Sequence, residues 1–252
     1  MVHPLRLLIL GGTTEASALA RALADRTDIS PILSLAGRVA NPKPAPIPTR
    51  VGGFGGVEGL SAYIRDNEIA AVLDATHPFA EQISTNAAAA CTATHTPLVV
   101  FTRPPWTRGP GDRWIEIDDL ADAPDALGEP PRRVFLTMGR LQLRHFTRAP
   151  QHDYLVRAID RPDEIDALPR ARLILARGPF GLADEESLLR QERIEFLVTK
   201  NSGGESTYAK IEAARNLGIT VVIARRPASG GIETLTSLAA AIGWIEAHRP
   251  AP

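Results

Sequence analysis

Residues able to hold phosphate, donate a proton or pair with carboxylate recur in short clusters, each directly after a run of aliphatic side chains. The first is Gly11-Gly12-Thr13-Thr14-Glu15-Ala16, which follows Leu5–Leu10. Two glycines permit a tight turn and close approach of a phosphate, and two threonines offer hydroxyls. A helix beginning there presents N–H groups and the positive end of its dipole to an anion. The cluster departs from G-x-G-x-x-G, and a plain strand-to-helix turn capped by a threonine would read the same way.

The second cluster, Ser34-Leu35-Ala36-Gly37-Arg38, contains no acid to hold a ribose 2′-hydroxyl, and none occurs between Pro31 and Thr49. It has Arg38 instead, which suits a 2′-phosphate and so NADPH rather than NADH; a solvated surface arginine is the alternative. In Gly52-Gly53-Phe54-Gly55-Gly56 there is little side-chain bulk, which suits a flat ring or a diphosphate, and equally a flexible turn. Asp74-Ala75-Thr76-His77-Pro78 follows another aliphatic run. Pro78 is placed to start a helix, and His77 either donates a proton or hydrogen bond or caps that helix. Arg103, Arg177 and Lys200 end three further runs. Lys200-Asn201-Ser202-Gly203-Gly204 is the most specific, since ammonium, amide, hydroxyl and backbone N–H groups together make an anion site.

These clusters need a scaffold that gathers strand ends, and the alternation of short apolar runs with helical spacings supplies one. Strands are expected at Leu5–Leu10, 31–35, Thr49–Val51, 69–74, Leu98–Phe101 and Trp114–Ile117, with helices at 15–24, 57–67 and 79–95. The proline-rich 41–48 is an exposed loop. Residues 123–133, with Pro and Gly and no apolar period, read as a linker. Beyond it strands are expected at 133–138, 154–159, 173–176, 196–199 and Thr220–Ala224, and helices at 141–147, 184–192, 206–217 and 235–248. The expected fold is α/β, with two Rossmann-like doubly wound parallel-sheet lobes. The N-terminal lobe would span 1–128 and bind NADPH, the C-terminal lobe would span 129–252, and the active site would lie in the cleft between them. One larger continuous sheet is the alternative.

Composition narrows the function classes. The chain has 252 residues, a formal charge of -1, a single cysteine (Cys91) and 44% hydrophobic residues. Near-neutrality removes a global electrostatic case for nucleic acid or an anionic membrane. One cysteine allows no internal disulfide and no cysteine metal cage, which fits a cytoplasmic protein. No apolar run approaches the roughly 20 residues of a membrane span, and no metal is expected. Oligomeric state stays open, with a monomer among the options. Only Lys43, Lys200 and Lys210 among 28 basic residues are lysine, so lysine is kept at few places.

With these clusters in one order along nearly the whole chain, the sequence resembles the precorrin-6A reductase family (the precorrin-6x reductases) of cobalamin biosynthesis. The resemblance rests on GGTTEA at 11–16, SLAGR at 34–38, GGFGG at 52–56, DATHPFA at 74–80, RPPW at 103–106, RGPF at 177–180 and VTKNSGG at 198–204. It implies two α/β lobes and NADPH-dependent saturation of the C18–C19 bond of precorrin-6A, a flat macrocycle rich in carboxylates. It also implies site roles. Gly11, Gly12, Thr13, Thr14 and Glu15 would hold diphosphate and ribose, Arg38 the 2′-phosphate, and Gly53, Phe54 and Gly55 the cofactor. Thr76 and His77 would lie near the nicotinamide. Arg103, Arg177, Lys200, Asn201, Ser202, Gly203, Arg225 and Arg226 would meet substrate carboxylates, with Ser202 also reaching cofactor phosphate. His77 and Lys200 are the catalytic candidates, and water can replace His77 as proton donor.

Four other functions compete with this one. The enzyme of the anaerobic route, which reduces the cobalt-containing macrocycle, would look alike. A short-chain dehydrogenase needs Tyr-x-x-x-Lys, and here Tyr63 is followed at that spacing by Asn67 and Tyr154 by Ala158. A non-catalytic nucleotide or tetrapyrrole binder would take up NADPH without substrate-dependent oxidation. A sugar-nucleotide transferase would ignore NADPH.

Overall fold

Strand β1 (Leu5–Leu10; strands and helices are numbered along the chain) is apolar except at Arg6, and its other five residues are buried. Such a strand must be covered on both faces. The computed structural model describes residues 3–37, 44–138, 140–228 and 230–249. It places β1 inside a six-stranded, all-parallel sheet with β2 (Ile29–Leu35), β3 (Thr49–Val51), β4 (Ala71–Asp74), β5 (Leu98–Phe101) and β12 (Thr234–Leu235). The spatial order is β12-β5-β4-β1-β2-β3.

Side chains alternate across β1, and the two faces build two cores. Leu5, Leu7 and Ile9 join Ala16, Leu19 and Ala20 of α1 (Thr14–Ala22) and Ala241 and Ile245 of α7 (Leu238–Ala247). Leu8 and Leu10 join Leu60 and Ile64 of α2 (Gly56–Asp66) and Ala87, Ala90 and Cys91 of α3 (Glu81–Thr94). Each fully buried leucine contributes about 1.5–3 kcal/mol. The helices begin where polar caps occur: Thr13 accepts from Ala16 N–H, and Ser237 accepts from Ala240 N–H.

A second six-stranded parallel sheet contains β6 (Trp114–Ile117), β7 (Arg133–Leu136), β8 (Asp153–Ala158), β9 (Ala171–Leu175), β10 (Phe196–Lys200) and β11 (Thr220–Ala224). Its order is β6-β11-β10-β7-β8-β9. Phe135, Leu155, Leu197, Val221 and Ile223 pack with Leu189 of α5 (Leu182–Gln191) and Ile211 and Ala214 of α6 (Ala209–Leu217). The fold class is therefore two parallel-sheet α/β lobes, as expected, and not one continuous sheet.

The division of the chain differs from the expected 1–128 and 129–252. One compact unit comprises Met1–Pro104 with Pro227–Pro252, and the other Pro105–Arg226. Pairing is the reason: β6 aligns Trp114–Ile117 with Val221–Ala224 of the second sheet, while Thr234 and Leu235 align with Val100 and Phe101 of the first. The segment expected as a linker folds instead. Pro124 sits in the first turn of α4 (Ala123–Leu127), Gly128 ends that helix, and Ala123 and Leu127 are buried, while Pro130 and Pro131 lie between the helix and β7. Proline near a helix start and glycine past its end are ordinary helix punctuation. The helix expected at 141–147 is a 3-10 helix, Arg140–Arg148, and the one expected from 235 yields Leu235 to β12.

Candidate functional site

In the first sheet, β2 and β3 lie to one side of β1, and β4, β5 and β12 to the other. Connections leaving β1 and β4 therefore diverge, and the winding reverses between these two strand ends, where open α/β sheets bind ligands. Thr13 ties the two ends together: its Oγ1 donates to the Ala75 carbonyl at 2.7 Å and accepts from Ala16 N–H at 3.2 Å. Its hydroxyl is thus spent on structure. Gly11 is required by packing, since a Cβ there would come within 2.5 Å of Leu33 Cδ1. Gly12 is exposed, has φ +126°, and faces open space.

The exposed Thr14 hydroxyl donates to Glu15, and Glu15 pairs with Arg103 Nη1 at 2.7 Å. Both partners of that pair are largely buried, so the contact joins the first turn of α1 to the residues after β5. Beside it, Asp74 is buried at the end of β4. Its Oδ1 accepts from the backbone N–H of Thr76 at 2.9 Å and from the Thr76 hydroxyl at 2.7 Å, and Oδ2 accepts from Ser84 at 2.6 Å. This fixes the turn that carries His77, whose Nδ1 accepts from Phe79 N–H at 3.3 Å.

The glycine-rich 52–56 loop is held by Arg50 of β3. The guanidinium donates to Ser34 Oγ at 2.7 Å, to the Gly52 carbonyl at 3.0 Å and to the Gly53 carbonyl at 3.1 Å. It also lies 3.9 Å from the Phe54 ring centroid. Gly53 and Gly55 are exposed. Arg38 lies outside the described residues.

The second sheet winds the same way, with β8 and β9 on one side of β7 and β10, β11 and β6 on the other. A threonine again spans the reversal: Thr137 donates from N and Oγ1 to the Val198 carbonyl, at 3.0 and 3.2 Å. Lys200 closes β10. Asn201 then makes a two-pronged contact with the backbone of Trp106, accepting at 2.8 Å and donating at 2.9 Å. Trp106 Nε1 donates to the Gly204 carbonyl at 2.7 Å. Arg226 donates to the carbonyls of Asn201 at 2.8 Å and Ser202 at 2.7 Å. The loop is laced from both sides through its carbonyls. Gly203 and Gly204 take positive φ, +66° and +70°.

The remaining arginines divide. Arg225 is exposed and pairs with Glu116 and Asp118, each at 2.9 Å. Arg177 is exposed and makes no hydrogen bond or ion pair with another described residue. Arg50, Ser84, Trp106 and Thr137 position these sites and were not picked out from the sequence for it. Trp106 stands in the RPPW motif and so carried a signal; Thr137 directly follows β7, but the expected strand at 133–138 ran through it. Arg50 and Ser84 carried none, being single polar residues inside elements. Among the described residues there is no cluster of ligands for a metal ion, and no helix is long and apolar enough to cross a membrane.

Residues 6–246 match the family model described as precorrin-6x reductase CbiJ/CobK. The chain belongs to the precorrin-6x reductase family. Precorrin-6A reductase of Rhodobacter capsulatus is 48% identical over 247 residues, covering 98% of each chain. Its counterpart in Mycobacterium tuberculosis is 46% identical over 95% of this chain and 97% of its own. Cobalt-precorrin-6A reductase of Priestia megaterium is 28% identical over 88% and 90%. A solved structure of the family, CobK precorrin-6A reductase, superposes with a TM-score of 0.91 at 48% identity, covering 98% of both chains. The seven clusters picked out along this sequence thus lie in a precorrin-6x reductase.

Proposed function

We propose that this chain reduces the C18–C19 double bond of precorrin-6A with NADPH to give precorrin-6B in cobalamin biosynthesis. One observation carries the reading: identity of 46–49% with precorrin-6A reductases along almost the whole chain. Identity to the cobalt-precorrin-6A reductases is 28–29%, which favours the cobalt-free macrocycle.

The first sheet's crevice fits a dinucleotide. Open space at Gly12 and the start of α1 suit a diphosphate, with Gly11, Thr14 and the backbone of Thr13 around it. Glu15, tied to Arg103, shapes this wall rather than reaching for the ribose. Gly53, Phe54 and Gly55 form a flat border, and Arg38 takes the 2′-phosphate. Bound there, NADPH supplies the hydride for C19. Asp74 holds Thr76, and with it His77, beside the nicotinamide. His77 is the side chain there able to protonate C18.

In the second unit, Arg177, Lys200, Ser202 and the Gly203 N–H take substrate carboxylates. Asn201 and Arg226 keep their loop in shape, and Arg225 remains with its acidic partners. Electrostatic complementarity of this kind orients a polyanionic ring and needs no metal. The protein works in the cytoplasm without nucleic-acid or membrane partners.

The test follows absorbance at 340 nm with purified protein and NADPH, with and without precorrin-6A, and repeats it with NADH. Substrate-dependent oxidation that strongly prefers NADPH is expected. NADPH binding without turnover of precorrin-6A would leave the cobalt-containing macrocycle or a binding module, and no NADPH binding would sink the reading. Near-normal turnover by His77→Ala would assign the C18 proton to water.

A further inference from the structure

Lys210, one of three lysines in the chain, lies on α6 with 5% of its surface exposed. Its only hydrogen-bond acceptor among the described residues is Thr137 Oγ1, at 3.1 Å. It also lies 5.6 Å from the ring centroid of Trp106. Both groups help to build the second sheet's crevice, beside Asn201 and Arg226. Thr137 passes the contact on to the Val198 carbonyl, and Trp106 holds Asn201 and Gly204. The charged groups that act on Lys210 are Arg157 of β8 and Glu185 of α5, themselves a buried ion pair capped by the Phe180 ring, 3.7 Å from the Arg157 guanidinium.

A buried ammonium whose one described acceptor is a hydroxyl is expensive to keep. Nothing in the packing of α6 requires it, because Ile211, Ala213 and Ala214 already supply the apolar face. Its placement under a strand-end crevice gives it a use.

We propose that Lys210 is a positioning residue of the reductase: through Thr137 and Trp106 it fixes the shape of the Lys200–Gly204 loop and so sets the affinity for the substrate's carboxylates. This deepens the proposed function and rests on assigning that loop to the substrate. With a proton, Lys210 donates to Thr137, which must then direct its own hydroxyl at Val198. Without one, the amine can accept from Thr137, leaving the Val198 carbonyl to the Thr137 backbone N–H alone. Burial, seconded by the Arg157 cation and opposed by Glu185, pushes Lys210 down to about 7, so both forms occur near neutrality.

The experiment compares the wild type with Lys210→Met, Lys210→Arg and Thr137→Val, using saturating NADPH and varied precorrin-6A from about pH 6 to 8.5, where substrate carboxylates stay ionised. The expected result is that Lys210→Met and Thr137→Val raise KM for precorrin-6A about tenfold at pH 6, as loss of a charge-assisted hydrogen bond would. Their kcat and NADPH affinity should be unchanged. The wild-type kcat/KM should fall toward the variants' as pH rises through about 7, and Lys210→Arg, charged throughout, should hold its value. A second readout is the Trp106 indole N–H resonance, which should titrate near pH 7 in the wild type and stay flat in Lys210→Met. Equal kcat/KM for wild type and both neutral variants at every pH would overturn the proposal, as would a Trp106 signal that titrates without Lys210. If the wild type itself turns over no precorrin-6A, the reductase reading fails first. Binding of the macrocycle at pH 6, followed by tryptophan quenching, then decides this one: equal Kd for wild type and Lys210→Met there overturns it.

Discussion

Replacing Lys210 by methionine should make the protein more stable, and by an amount that depends on pH. In the unfolded chain the ammonium has its ordinary value of 10.5, whereas in the fold it is pushed down to about 7. At 1.36 kcal/mol per pH unit that difference amounts to about 5 kcal/mol against the folded, charged form. Below pH 7 both states are protonated and the whole penalty is present. Between 7 and 10.5 the unfolded chain binds the extra proton, so stability of the wild type rises with pH and the penalty fades. Above 10.5 it is gone. Methionine fills a similar volume without the charge, so its advantage should be largest in mild acid. It should shrink by about 2–3 kcal/mol between pH 6.5 and pH 9. Urea denaturation of both proteins at the two pH values, with matching m-values, measures this directly. A difference that does not change with pH would refute the argument that this amine is buried and discharged near neutrality. A lysine that weakens the fold and tightens substrate binding would be a case of stability given up for function.

Two further perturbations follow from packing. A Cβ at Gly59 would stand 1.8 Å from the Phe54 carbonyl oxygen, so Gly59→Ala must displace the loop that Arg50 holds. We expect a loss of about 2–4 kcal/mol in chemical denaturation and weaker NADPH binding by titration. Cys91 is buried against the first sheet, and burial, with Asp74 adding to it, pushes its thiol up to about 12. Iodoacetamide should therefore leave it unlabelled in the folded protein at pH 8 and label it promptly in denaturant, as read by mass spectrometry.

The strands were legible because a parallel strand covered on both faces is a near-continuous aliphatic run, and Leu5–Leu10, Leu98–Phe101 and Thr220–Ala224 are such runs. Which sheet a strand joins is not written in its own residues. Trp114–Ile117 pairs with a strand about a hundred residues further on, and the two-residue β12 looked like the start of a helix. Proline and glycine at 124 and 128 were ambiguous in the same way, since they punctuate linkers and short helices alike. The crevice residues could be read because they follow strands. Their partners could not: nothing in the spacing says that Thr13 is spent on Ala75, that Asn201 is taken up by Trp106, or that Arg225 faces Glu116.

The return of the chain to its first sheet has a consequence for biosynthesis on the ribosome. All of Pro105–Arg226 is translated before β12 and α7 exist. During that interval the first unit lacks the strand that pairs with β5 and the helix that covers Leu19 and its neighbours on α1. The nascent chain thus carries an open sheet edge and an uncovered apolar face while a later unit is already complete, the state in which chains associate wrongly. The first unit, although begun first, is the last to mature.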